Sequence, residues 1–308
     1  MGSLAASYAL LTVAGAGARI HSPVPLEHYD DPGYSGFLSV SPLSDAGLFD
    51  IDIEVTAAPC AVNDAPPVFE CDDAWSMQSD GDGYRVSFRR VDTRAIHTVL
   101  RSDRSTTRVS VHTDQGQDGD PPPAVIMNPI HYPLDQVMFM NHLALRGGVI
   151  CHAAAAVVNG VALVFPGRSG AGKSTLSRQF VDAGLGGTLL SDDRVVLRRE
   201  ASSENELERM VAWGTPWHGD ADIAQNMAAP LAAVLFLVQS DTDEVVPIGP
   251  GPAMRRLMPV VSCPWYDPER LPPVLDTCGR VVETVPCYEL RFTRDGDAVS
   301  MLRSMSWT

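Results

Sequence analysis

Residues 167–175 read GRSGAGKST and lie between an apolar, strand-like run and a helical one. The stretch fits the phosphate-binding pattern G-x-x-x-x-G-K-[ST], in which glycines let backbone N–H groups turn toward phosphate oxygens. The pattern predicts that the Lys173 ammonium contacts the β- and γ-phosphates of ATP and that the Ser174 hydroxyl binds Mg²⁺. The residues expected to contact the nucleotide are Gly167, Arg168, Ser169, Gly170, Ala171, Gly172, Lys173, Ser174 and Thr175.

Lys173 is the only lysine in the chain, because all the other basic residues among the 23 lysines and arginines are arginine. Arginine carries a planar, branched fork, whereas lysine is a slim point charge. A chain that otherwise uses arginine keeps a lysine where a fork would not fit. The single lysine among the basic residues therefore supports a phosphate-binding loop. The alternative is a glycine-rich turn between a strand and a helix.

Composition sets the class of protein. The 308 residues are 45% hydrophobic and 20% charged, as in ordinary globular chains of one large domain or two smaller ones. The net charge of −15 disfavours nucleic acid as a partner. No apolar run reaches the ~18 residues of a membrane helix, so we expect no membrane partner. The six cysteines lack metal or disulfide spacing, which indicates reduced thiols and a cytoplasmic location.

Residues 1–120 are predicted to form a β-rich domain of unknown role. The N-terminal apolar stretch lacks the basic residues of a signal peptide and predicts a strand at 8–13. The sequence SDGDG at 79–83 indicates a hairpin turn rather than a calcium loop. DQGQDGDPPP at 114–123 is typical of an exposed linker. Further short strands are predicted at 37–40, 48–55, 84–88, 95–100 and 107–112.

Residues 121–308 are predicted to form an α/β domain with a mixed sheet. Asn159-Gly160 is a strong hairpin signal, so the strand that feeds GRSGAGKST should pair antiparallel with the strand before it. A helix should follow from about 173 to 183, with Gly184 as its stop. Other predicted elements are helices at 133–146, 252–258 and 298–303, and strands at 188–190, 195–197, 231–238 and 287–292.

Three further features bear on chemistry. Asp192 and Asp193 follow a short strand about twenty residues after Lys173, where one carboxylate suits Mg²⁺ and the other a substrate hydroxyl. The alternative is a solvated turn pair. His152 precedes the hairpin and, considered alone, is a packed histidine. The sequence WGTPWHGD at 213–220 is either a tryptophan-anchored structural loop or part of a substrate site.

The segment HAAAAVVNGVALVFPGRSGAGKST, followed by LLSDD, resembles the C-terminal catalytic domain of HPr kinase/phosphorylase and its relatives. In that family a histidine precedes a β-hairpin, the hairpin leads into the P-loop, and paired aspartates follow the helix. NPIHYPLDQ, WGTPWHGD and PLAAVLFLV resemble HPr-kinase-related proteins found beside peptide-modifying genes in bacteria. The resemblance covers roughly residues 128–260 and implies a P-loop kinase fold of the HPr kinase and phosphoenolpyruvate carboxykinase type.

The resemblance implies Mg²⁺-dependent phosphoryl transfer from ATP to a serine or threonine hydroxyl, with His152, Lys173, Asp192 and Asp193 in the active site. Asp193 would be the general base, and Asp192 would lie nearer to the metal with Ser174. The bifunctional enzymes carry Glu-x-Arg-Gly after the aspartate pair. This chain lacks that glutamate, and Asp220 would replace it as a metal ligand. The region linked to phosphorolysis is not recognisable, so we expect no reverse reaction.

The expected acceptor is a peptide or protein, such as a short precursor peptide, rather than HPr itself. Two alternatives stay open: a small-molecule kinase on the same scaffold, and a nucleotide-binding regulatory module without catalysis. The missing glutamate motivates the second alternative. Because the relatives often form hexamers, the resemblance also implies a homo-oligomer.

Overall fold

The chain has a mixed α/β architecture with two mixed sheets. The computed structural model describes residues 6–40, 49–61, 63–72, 74–115, 123–201 and 208–307. The chain divides into two compact units, one of Met1–Asp31 with Leu38–His142 and one of Pro32–Phe37 with Leu143–Thr308. Among the described residues, no helix is both long and apolar enough to cross a membrane.

The division falls after His142, whereas the sequence predicts it at residue 120. Residues after the predicted linker stay with the first unit because they bond to it. The Gln115 side chain exchanges two 2.8 Å hydrogen bonds with the backbone of Met127, and His142 Nδ1 lies 2.9 Å from the Thr106 carbonyl. Most of the predicted linker, 116–122, lies outside the described residues.

The first unit is a β-sheet, as the sequence predicts. Within the described residues, ten strands pair in the order β3-β1-β2-β4-β9-β8-β7-β6-β5, with β10 beside β2. Asp80 pairs with Gly83, which confirms the hairpin turn at 79–83. The elements are β1 (Ala6–Val13), β2 (Ala16–Glu27), β3 (Leu38–Ser39), β4 (Ile51–Ala57), β5 (Phe69–Cys71), β6 (Trp75–Asp80), β7 (Gly83–Arg89), β8 (Ile96–Ser102), β9 (Arg108–Thr113), β10 (Ile126–Met127) and α1 (Leu134–Ala144), which contains the division.

The second unit combines a mixed sheet with helices. Its main strand order is β12-β11-β14-β15-β16-β19-β17, and β12 also pairs with β16. The elements are β11 (Gly148–Val158), β12 (Val161–Pro166), α2 (Lys173–Asp182), β13 (Leu189–Ser191), β14 (Arg194–Ala201), β15 (Glu208–Gly214), β16 (Ala228–Gln239), β17 (Glu244–Ile248), α3 (Pro250–Leu257), β18 (Val261–Ser262), α4 (Leu271–Thr284), β19 (Cys287–Phe292) and α5 (Ala298–Ser304).

The strand β12 is central to this sheet. It pairs antiparallel with β11 across the Asn159-Gly160 turn, which confirms the predicted hairpin, and parallel with β16. Alternate residues of β12 contribute to two separate apolar clusters. On one face, the Phe165 ring centroid lies 6.2 Å from that of Phe180 on α2, so α2 packs against the end of β12.

Parallel pairing also unites β12, β16 and β19. The carboxyl ends of parallel strands meet at one edge of a sheet, where open α/β sheets bind ligands. The loop that follows β12 therefore shares its edge with the segments that follow β16 and β19.

Candidate functional site

The glycine-rich loop, residues 167–172, joins β12 to α2. Gly170 and Gly172 have φ values of 80° and 108°, which favour glycine. A Cβ atom on Gly172 would also lie 2.8 Å from the Phe292 ring. Gly172 is the N-cap of α2 and provides no side-chain cap. The first-turn N–H groups of a helix lack intrahelical partners, so this end of α2 suits an anion.

Lys173 is the first residue of α2, and its side chain folds back over the loop. It is only 7% exposed, and its Nζ donates hydrogen bonds to the carbonyl oxygens of Gly167 at 2.9 Å and Arg168 at 3.4 Å. Burial lowers the pKa of the Lys173 ammonium, and the Arg194 charge lowers it further, although Asp193 raises it. The Lys173 ammonium thus bonds to the first two residues of the glycine-rich loop. It also interacts electrostatically with Asp192 and Asp193.

His152, Asp193 and Arg194 form a cluster at the start of the same loop. His152 on β11 pairs with Arg194 on β14, and its Nε2 lies 2.7 Å from Asp193 Oδ1. The Arg194 guanidinium donates to Asp193 Oδ2. The Gly167 N–H donates to the His152 carbonyl at 3.1 Å. Backbone bonding therefore fixes this cluster beside the first residue of the glycine-rich loop.

The Asp193 carboxylate is surrounded by positive charge. Burial alone would raise its pKa, but the hydrogen bond from His152 and the charges of Arg194, His152 and Lys173 outweigh burial, so the pKa lies below its usual range. Asp193 is therefore ionised at neutral pH. Each of its oxygens keeps a second lone pair, so the carboxylate can still accept a hydrogen bond from a substrate hydroxyl.

Asp192 has different partners. Its residue is only 4% exposed, and its two oxygens accept the N–H groups of Gly219 and Ala221, each at 2.8 Å. A Cβ atom on Gly219 would lie 3.0 Å from Asp192 Oδ2 and 3.1 Å from the Asp193 Cβ. Asp192 therefore holds the 219–221 segment directly against the aspartate pair.

The hydrogen bonds from Gly219 and Ala221 to Asp192 bring the end of the WGTPWHGD segment to the site. Thr215 Oγ1 donates to the Arg194 carbonyl at 2.7 Å. Trp217 is buried, and the Trp213 indole donates to Glu200 Oε1 at 2.8 Å. The tryptophans thus anchor the segment, while residues 219–221 adjoin the aspartates. The contacts support the tryptophan-anchored loop, and a role in a substrate site stays a prediction.

Oxygen ligands suitable for Mg²⁺ are present. Ser174, in the first turn of α2, and Asp220, on the 219–221 segment, are both exposed. Among the described residues, no group of three or more His, Cys, Asp or Glu side chains is arranged to hold a metal ion. Mg²⁺ usually takes one or two carboxylates together with substrate phosphates, so it does not need such a group. Which of Ser174, Asp192 and Asp220 binds it stays a prediction.

The structure brings Lys173, His152, Asp192 and Asp193 to one end of the glycine-rich loop. Sequence reasoning missed Arg194 and Gly219. Arg194 follows the aspartate pair directly in the sequence. A cation beside two adjacent carboxylates indicates an ion pair with one of them. The contact of Gly219 with the pair joins residues far apart in the chain and has no local sequence signal.

The profile of a family described as SynChlorMet cassette protein ScmC matches residues 129–302, which is more than half of the chain. The chain belongs to the ScmC family. The part matched to ScmC contains every candidate residue from His152 to Asp220, with the strands and helices that position them. No curated protein matches the chain.

Proposed function

We propose that this protein is a P-loop kinase that uses ATP and Mg²⁺ to phosphorylate a serine or threonine hydroxyl of a peptide or protein. The observation that carries the proposal is the placement of an ionised, histidine-bound Asp193 next to the residue that starts the glycine-rich loop. A phosphate-binding loop alone supports binding. A carboxylate at its end, within electrostatic reach of Lys173, adds a group that can accept a hydroxyl proton.

The reaction is an exchange of bonds at the γ-phosphorus. The acceptor hydroxyl oxygen forms a bond to that phosphorus as the bond to the bridging oxygen of ADP breaks. The hydroxyl proton passes to Asp193, and ADP leaves with the bonding electron pair. Lys173 and Arg194 supply positive charge at the loop end, where the transferred group carries negative charge. Mg²⁺, when bound through Ser174 and a carboxylate, neutralises phosphate charge.

His152 acts in this proposal as a positioning residue. Its Nε2 holds Asp193 Oδ1, and its backbone carbonyl holds Gly167. One residue thereby ties the base to the phosphate-binding loop. Asp192 positions the 219–221 segment, which carries Asp220. The resemblance to HPr kinase/phosphorylase supports the same roles for Lys173 and the aspartates, and a homo-oligomer and a cytoplasmic location remain predictions from it and from composition.

The acceptor class is tested with ATP labelled in the γ-phosphoryl group. The protein and Mg²⁺ are incubated with peptide fractions and, separately, with small-metabolite fractions of a cell that expresses the protein. We expect label on serine or threonine in the peptide fraction. Label only in the metabolite fraction would assign a small-molecule kinase. ATP binding in calorimetry without transfer to either fraction would assign a regulatory module and overturn the proposal.

A further inference from the structure

A cavity of about 790 Å³ opens beside the first turn of α2. Gly172 and Thr175 form one side, and the segments that follow β16 and β19 form the other. The apolar part includes Phe292, and the polar rim includes Asp241, Asp295 and Arg294. Its volume lies within the range of ligand pockets, about 300–1,000 Å³. Gly172 and Thr175 belong to the predicted phosphate-binding loop, and the roles assigned above do not use the other lining residues.

The glycine-rich loop has two chemically distinct ends. Lys173 Nζ reaches back to the Gly167 carbonyl, and Gly167 also bonds to His152. Because the P-loop lysine contacts the β- and γ-phosphates, the transferred phosphate belongs at the Gly167 end. The nucleoside is joined to the α-phosphate and must leave the loop at the opposite end. The 790 Å³ cavity adjoins that opposite end at Gly172 and Thr175.

We propose that this cavity binds the nucleoside of ATP, an inference that rests on the proposed function. The Asp241 and Asp295 carboxylates are exposed on the rim and suit the ribose hydroxyls as hydrogen-bond acceptors. Phe292 is only 2% exposed and forms part of the apolar floor. The two carboxylates outnumber the Arg294 guanidinium, so the rim favours a neutral, donor-rich group over a phosphate.

A second, smaller cavity of about 270 Å³ lies at the Gly167 end and is lined by Arg168 and Arg256. Its volume falls below the usual range for ligand pockets. Its two guanidinium groups suit an anion better than a neutral nucleoside. Size and charge therefore both assign the nucleoside to the larger cavity.

The larger cavity is pre-formed by hydrogen bonds. Asp243 accepts the N–H groups of Thr293 at 2.7 Å and Asp297 at 3.1 Å, which fixes the segment after β19. Gln179 of α2 donates to the Thr293 carbonyl at 3.1 Å. Gln239, at the end of β16, donates to the Gly170 carbonyl at 3.3 Å. The cavity walls are thus tied to both the glycine-rich loop and α2.

Calorimetry with ATP and with inorganic tripolyphosphate separates this site from the phosphate loop, since tripolyphosphate has no nucleoside. We expect the wild-type protein to bind ATP at least about tenfold more tightly than tripolyphosphate. In the double variant Asp241→Asn, Asp295→Asn, this ratio should fall toward one. Asp182→Asn removes an exposed carboxylate at the far end of α2 and should leave the ratio unchanged.

A wild-type ratio near one would overturn the nucleoside site while leaving the phosphate loop intact. So would an unchanged ratio in the double variant, whose folding is checked by circular dichroism. The ratio of ATP affinity to tripolyphosphate affinity in the wild-type protein is a test by itself. It remains valid if the double variant fails to fold. If the wild-type protein binds neither compound, the proposed function fails and the nucleoside site fails with it.

Discussion

His152 Nε2 lies 2.7 Å from Asp193 Oδ1, and the His152 carbonyl accepts the N–H of Gly167, the first residue of the glycine-rich loop. The histidine lies on β11, the first strand of the hairpin that precedes the loop, and the aspartate lies between β13 and β14. Antiparallel pairing of β11 with β14 brings them together. In the proposed function, this contact adds a proton acceptor to the end of the glycine-rich loop.

Replacing the solitary lysine tests why it is kept. Lys173→Arg should weaken ATP binding about 10- to 100-fold, because the buried site accommodates a slim ammonium on the Gly167 carbonyl and not a branched guanidinium. Calorimetry measures the change. Arg178→Lys on the exposed side of the same helix is the matched control and should bind normally. Unchanged ATP affinity in Lys173→Arg would mean that the lysine is incidental.

Arg194 should control the ionisation of Asp193. Its guanidinium is one of the charges that lower the Asp193 pKa. The variant Arg194→Gln removes that charge, so the pKa should rise and the acid limb of the pH–rate profile of phosphate transfer should move to higher pH. The control Arg178→Gln removes a positive charge at an exposed position of α2. It should leave the acid limb of the pH–rate profile in place. A movement to lower pH would contradict the described charge balance.

The stability contribution of Asp193 should depend on pH. Because the folded-state pKa of Asp193 is lowered, its contribution is present above about pH 4, the usual pKa of an unfolded aspartate, and is lost as the pH falls through the folded value. Urea unfolding of wild type and Asp193→Asn should therefore differ most near neutral pH. The difference should shrink on acidification. A constant difference from pH 7 to pH 3 would exclude this account of the carboxylate.

Asp192 should matter for folding as well as for any metal. Asp192→Ala leaves the N–H groups of Gly219 and Ala221 without their carboxylate acceptor. We expect a loss of about 2–4 kcal/mol in the free energy of unfolding, measured with urea. Asp220→Ala, an exposed neighbour, should change it by less than about 0.5 kcal/mol. Equal effects of the two variants would refute the positioning role of Asp192.

The sequence predicted the elements whose signals are local. Asn159-Gly160 marked the β11–β12 hairpin, and the apolar run at 231–238 marked β16. β2 was missed because its start, AGAR, has the composition of a turn, although alternate residues of the strand are buried. α4 was also missed, since its two prolines disguise a helix that begins with them in its first turn. Local patterns therefore predicted the hairpin and the loop well.

The candidate site was predicted only in part. Lys173 and the aspartate pair follow a recognisable spacing, so sequence alone pointed to them. The partners of Asp192 lie 27 and 29 residues away along the chain, and they become visible only through the pairing of β14 with β15 and the turn after it. The segment 219–221 carries no pattern that indicates this contact.

Transfer of labelled γ-phosphate from ATP to a peptide acceptor in the presence of Mg²⁺ tests the proposed kinase activity. Wild type and Asp182→Asn should phosphorylate the acceptor at equal rates. Asp193→Asn should bind ATP normally yet transfer phosphate about 10²- to 10⁴-fold more slowly, because the proton acceptor is gone. Wild-type transfer rates in Asp193→Asn would contradict the account, because the carboxylate beside His152 would then have no part in the chemistry.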